Sequence, residues 1–278
     1  MTSLLPFRPH IFELLVLAAA GAGHSRVVES TKQRRYAIVS LLALAVVIAW
    51  PIGDLAASVS VTVATVQRLV IMLLVAPLGL SSLPTLVLAR LTRPTLIDVV
   101  VRWVAHPGVA IALVTVIGTL TLSSPAINWG ARSSLGRDVV LLLVVAIGVV
   151  LWIPALGVVP GTRHLSPTGQ SGYLFASSLV VTSLSFVWIF SRHSLYSGLH
   201  HQYALLHVTP LLDQQVAGFV AKFGAYIPMW ATAFTIFSRA EEQGVAVEET
   251  PLYWADVERA LLRADRQLAR ENRHRRPE

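Results

Sequence analysis

Three groups of residues in this 278-residue chain have types and spacings that could do chemistry. The first is the histidine set His200, His201 and His207, inside a polar stretch that runs from Ser191 to Lys222. Imidazole nitrogens are good copper ligands, and His200 and His207 would share a face if the segment were helical. The same residues serve equally well as solvated loop histidines, so copper stays open and no metal ligand is assigned.

The second group is Asp213, Gln214 and Gln215, which follow Thr209 and Pro210. Thr209 predicts an N-cap and Pro210 the first helical residue, which puts the triplet near the positive end of a helix dipole. Gln214, Gly218 and Lys222 then recur every four residues as a polar and small stripe. Beside it, Ala217, Ala221 and Ala225 form a small-residue face suited to close helix packing.

The third group comprises Glu13, Arg68 and Lys222, each inside an apolar segment. A lone charge at the bilayer centre costs at least about 2.5–3.5 kcal/mol, so such groups usually face the bundle interior. One reading is a polar cavity, open to the outside along the Gln214, Gly218 and Lys222 stripe, that binds an anion or a proton. The other is a buried Glu13–Arg68 ion pair with Lys222 reaching out to water.

The elements that must position these groups follow from composition. Residues are 54% hydrophobic and only 13% charged, against roughly 25% charged in soluble domains. The chain is therefore expected to be an all-α, polytopic bundle in a lipid bilayer. It holds no cysteine, which excludes disulfides, thiolate metal sites and CxxC redox chemistry. The net charge of +7 does not point to nucleic acid, because the excess lies in short loops and in the tail.

Seven spans are predicted: Leu4 to Gly23, Tyr36 to Ala56, Val59 to Leu80, Pro107 to Leu122, Asp138 to Leu156, Tyr173 to Phe190, and Pro210 to Phe237. The first competes with a cleaved signal peptide, but Arg26, Lys32, Arg34 and Arg35 follow it and favour retention. Sixteen Lys and Arg residues fall in the connections of one side and four in those of the other. That bias predicts the N-terminus outside and the C-terminus inside, with the histidine-rich loop extracytoplasmic. Residues 1–238 form the membrane domain. Residues 239–278 form a cytoplasmic tail, where Trp254, Val257, Leu261, Ala264 and Leu268 predict a basic amphipathic helix for the inner leaflet.

From Phe190 onward the chain resembles the CtaG family of bacterial cytochrome c oxidase assembly factors. Phe190-Ser191-Arg192, Leu195-Tyr196, Leu211 to Gln215, Ala217-Gly218 and Phe237-Ser238-Arg239 carry the likeness. Looser similarity reaches back through Trp152, Pro154, Leu156, Gly157, Pro125 and Val75 to Leu78. The chain departs from the family where members typically have histidines. Ala64 and Arg68 flank Gln67, Leu122 to Ser124 precede Pro125, and Arg137-Asp138 stand where a Glu-His pair is usual.

The resemblance implies a multi-pass protein of the bacterial plasma membrane that acts in oxidase biogenesis, by serving the copper site or by scaffolding oxidase subunits. Its implied partners are cytochrome c oxidase subunits or a copper chaperone, besides the lipid bilayer. Copper is the implied cofactor. No nucleophile, paired carboxylates or cofactor motif marks an enzyme. Two alternatives remain: an interaction subunit of another envelope complex that has lost its metal, and a small-solute or ion transporter built on Glu13, Arg68 and Lys222.

Overall fold

The structure is a computed structural model that describes residues 17–18, 21–24, 27–28, 30–162, 164–196, 199 and 207–248, with side chains to 242. Glu13, His200, His201 and the predicted tail helix lie outside the described residues. By its internal contacts the chain divides into one compact unit, Met1–Ile236, and a second, Phe237–Glu278.

Every regular element among the described residues is a helix. In chain order they are α1 (Thr31–Ile48), α2 (Ile52–Ser58), α3 (Val61–Ser82), α4 (Thr85–Leu91) and α5 (Thr95–Val104). There follow α6 (Pro107–Thr121), α7 (Ser124–Arg132), α8 (Ser134–Leu156), α9 (Pro167–Phe190) and α10 (Pro210–Glu248). Helices α3, α8 and α9 are each long and apolar enough to cross a membrane. The pairs α1–α2 and α5–α6 pass the same test only together, with bends of 56° and 89°, which makes three to five candidate spans.

Several predicted spans change shape for local reasons. Tyr36 to Ala56 is broken because α1 stops ahead of Pro51, whose ring disfavours helix at the preceding residue. Pro107 to Leu122 appears as α6, and α5 meets it almost at a right angle. The final helix starts where expected, with the Leu212 N–H donating to Thr209 Oγ1 at 3.2 Å, but runs on to Glu248. It is not among the candidate spans.

A π turn at Ile71–Val75 interrupts α3 just before Pro77, which has no N–H for the preceding turn. Carbonyls loosened there find new donors. Trp152 Nε1 donates to Met72 O at 2.7 Å, and Ser40 Oγ donates to Val75 O at 2.9 Å. Backbone groups in lipid must be satisfied within the protein, so these two bonds let the irregular turn persist. Close approach is also needed: a Cβ on Gly148 would lie 3.1 Å from Ala76 Cβ and 3.2 Å from Met72 Cα.

The main core joins Ala110 and Val114 of α6, Ile147, Leu151 and Trp152 of α8, Leu174 of α9 and Met229 of α10. A second cluster lies above it at the start of α3, where Val61 packs with Trp188, Tyr196, Leu199 and Ala217. Large apolar side chains such as Leu142, Phe190 and Phe234 stand exposed on the outer faces of α8, α9 and α10, as lipid contact requires.

Candidate functional site

The site is built where α10 begins. Two helix ends meet there, and each has orphan backbone groups that its own residues cannot satisfy. At the start of α3, Ser60 caps locally by accepting from the Val63 N–H at 3.2 Å. The remaining donors go to Asp213, which arrives from 153 positions away in the chain. Its carboxylate accepts from Ser60 Oγ and from Val61 N–H, both at 2.7 Å, and from Thr62 N–H at 3.4 Å. Thr62 Oγ1 also donates to Asp213 O at 2.8 Å. Asp213 is thus a buried anion on the positive end of α3 rather than a surface charge on its own helix.

The two glutamines grip the other neighbour of α10, the chain leaving α9. Gln214 is fully buried, and its Oε1 accepts from the Leu195 N–H at 2.8 Å. Gln215 Nε2 donates to Ser191 O at 3.3 Å. Leu195 O in turn accepts from Ser124 Oγ, which ties the same segment to the start of α7. Gly218 allows the contact: a Cβ there would meet Ile189 Cγ1 at 2.8 Å, Ser185 O at 3.0 Å and Trp188 Cβ at 3.1 Å. Ala217, with no exposed surface, packs in the second cluster.

The cations do the complementary job at helix C-termini. Arg68 donates from its two terminal nitrogens to Thr121 Oγ1 at 2.8 Å and Thr121 O at 2.7 Å, at the last residue of α6. Its charge therefore sits on the negative end of that helix dipole. The Tyr196 hydroxyl donates to the next carbonyl, Leu122 O, at 2.9 Å. Burial pushes this phenol up to about 12, an effect partly opposed by the neighbouring Trp188 indole and by the nearby Arg68 charge. Lys222 is held near the break in α9, 3.5 Å from Thr182 Oγ1 and over the rings of Phe186 and Tyr226 at 3.9 and 4.4 Å. It neither reaches out freely nor lines the cavity described next.

Below this junction lies a cavity of about 70 Å³ between α2, α3, α7 and α8. Gln67 and Arg68 line one part, and Arg137 and Asp138 another, with Ala64 and Leu122 between. Arg137 lies 3.3 Å from Asp54 and 3.8 Å from Asp138. This cavity is lined from α2, α3, α7 and α8, and none of Gln214, Gly218 and Lys222 borders it. Ala64, Arg68, Leu122, Arg137 and Asp138, which lie among the departures from the family resemblance, all line this one space.

Copper does not fit this cavity. Cuprous ion favours thioether, thiolate and imidazole donors, cupric ion needs several converging nitrogen or oxygen donors, and a guanidinium opposes any cation. Here Gln67 Nε2 is committed to Val47 O at 2.7 Å, and the Asp138 carboxylate lies 3.8 Å from the Arg137 guanidinium. Among the described residues no three His, Asp or Glu side chains converge on a point that could hold a metal. Of the three loop histidines, only His207 is described; it is exposed, in a left-handed turn of φ 51° two residues ahead of Thr209.

Sequence reasoning placed Asp213, Gln214 and Gln215 together and missed what they hold. Ser60, Thr62 and Thr121 went unnoticed as partners because hydroxyl residues are common in membrane helices. One signal was available: a carboxylate in the first turn of an apolar helix needs a donor partner from elsewhere.

Fold and site together define a polytopic helical membrane protein in which Asp213 and Arg68 cap the ends of neighbouring helices. The chain belongs to the cytochrome c oxidase caa3 assembly factor family (Caa3_CtaG), which it matches over residues 14–242. No curated protein and no solved structure matches it.

Proposed function

We propose that this protein is a membrane-integral assembly factor for cytochrome c oxidase and acts as a scaffold in a bacterial plasma membrane. Family membership supports the oxidase as client. The anchoring of α10 through Asp213 to α3, and through Gln214 and Gln215 to the segment leaving α9, carries the scaffolding reading. The two glutamines fix that segment before any partner arrives, and a preorganised surface loses less entropy on binding.

Seven helices cross the bilayer in this reading, with the N-terminus outside and the C-terminus inside. The sixteen-to-four distribution of Lys and Arg supports that orientation. The Ser191–Gln215 segment then faces the extracytoplasmic side and docks an oxidase subunit or the chaperone that brings it copper. The metal travels on the partner, because Arg68 and Arg137 make the cavity hostile to it. Residues 239–278 lie on the inner leaflet as a basic amphipathic helix.

Affinity purification of the full chain from native membranes tests the scaffold. Oxidase subunits should co-purify with the wild type and be lost with Gln214→Ala at unchanged protein level. Recovery of oxidase subunits to the same extent with both proteins would place the docking surface elsewhere.

A further inference from the structure

We propose that α5 and the turn that precedes it lie in the plane of the membrane surface and bind anionic phospholipid headgroups. The sequence of α5, TLIDVVVRWV, sorts into three faces. Val104 is buried and Val101 packs on the main core. Asp98 and Arg102 form a salt bridge of 2.8 Å on a second face. Between these faces, Leu96, Val99, Val100 and Trp103 make an apolar strip that nothing among the described residues covers. Leu96 is 83% and Trp103 58% exposed.

A helix with one face on protein, one polar and one bare and apolar suits the boundary between headgroups and acyl chains. The bend gives the direction. Helix α5 meets α6 at 89°, so if α6 runs across the bilayer, α5 runs along it. A continuous span through both helices would instead drag Asp98 and Arg102 into hydrocarbon. Trp103 stands at the junction, a residue type enriched at membrane interfaces.

Charge complementarity names the lipid. Arg90 in the last turn of α4 and Arg93 in the following turn are both exposed, and neither has a carboxylate within salt-bridge distance among the described residues. Arg102 is already paired with Asp98, which leaves Arg90 and Arg93 for phosphate groups. The proposal rests on α6 crossing the membrane and not on the oxidase reading.

The chain has no cysteine, so single substitutions give unique labelling sites. Nitroxide labels at Leu96→Cys, Val100→Cys and Asp98→Cys of the full chain would be read in vesicles of phosphatidylglycerol and phosphatidylcholine. Labels at 96 and 100 should be open to oxygen, closed to a nickel chelate and at one common depth, while the label at 98 meets nickel. A depth that rises steadily from 96 to 100 would mean a broken span and overturn the proposal. Exclusion of both reagents from 96 and 100 would mean a protein partner and also overturn it. In the same vesicles, Arg90→Gln with Arg93→Gln should cut the preference for phosphatidylglycerol, by native mass spectrometry of retained lipid, by about thirtyfold. An unchanged preference would remove the headgroup assignment.

Discussion

Truncating Asp213 to Ala removes both carboxylate oxygens from the start of α3. Ser60 Oγ and Val61 N–H, each 2.7 Å from that carboxylate, lose their acceptor in a buried setting. Hydrogen bonds to a charged group contribute about 1.5–3 kcal/mol each, and a stranded buried donor adds its own desolvation cost. Contributions at one side chain overlap, so the total cost is about 3–5 kcal/mol. At roughly 2–4 °C per kcal/mol for a domain of this size, the midpoint of thermal unfolding in detergent falls by on the order of 10 °C. Asp213→Asn is milder, at about 1–2 kcal/mol, because the amide oxygen keeps Val61 N–H while the Ser60 hydroxyl turns to accept. A double-mutant cycle with Ser60→Ala should give a coupling of about 1–2 kcal/mol. Midpoints for Asp213→Ala within about 2 °C of the wild type, or a cycle with no coupling, would refute the capping role.

Three further outcomes follow from the same geometry. Gly218→Ala should cost about 1–3 kcal/mol, since the new methyl meets Ser185 O at 3.0 Å and backbone cannot step aside cheaply; an unchanged unfolding midpoint would contradict the close crossing. Trp152→Phe strands Met72 O beside the π turn and should cost about 1–3 kcal/mol, with faster amide exchange confined to α3; uniform exchange would deny the indole its role there. Tyr196 holds its proton more tightly folded than unfolded, where its value is about 10. Stability should therefore fall as pH climbs from about 10 towards 12, and Tyr196→Phe should lack that part of the decline. Parallel pH curves for the two proteins would exclude Tyr196 as the source.

Periodicity and punctuation made much of this architecture legible. The Thr209-Pro210 start of α10 is realised, because capping and the fixed proline φ act within one turn. Of the alanines spaced four apart, Ala217 and Ala225 are buried and Ala221 is half-buried. Bends were harder to see. Pro51 breaks a predicted span, while Pro154 is carried inside α8, and hydropathy does not separate the two cases. The meaning of the charges was least visible, because it depends on partners remote in sequence. Arg68 and Thr121 are 53 positions apart, and Asp213 and Ser60 are 153 apart. From composition alone Arg68 could line a pathway or pair with an acid; in the fold it closes the carbonyl end of α6. The substituted histidine positions looked like scattered departures until the fold gathered them around one cavity.

In the proposed function this chain acts in the assembly of cytochrome c oxidase. The most direct measurement is the amount of assembled, active cytochrome c oxidase in membranes of a strain that lacks this chain, complemented in turn with wild type and Asp213→Ala. Deletion should deplete the assembled oxidase, the wild type should restore it, and Asp213→Ala should restore it only in proportion to folded protein. Normal oxidase content and activity in the deletion strain would contradict the account.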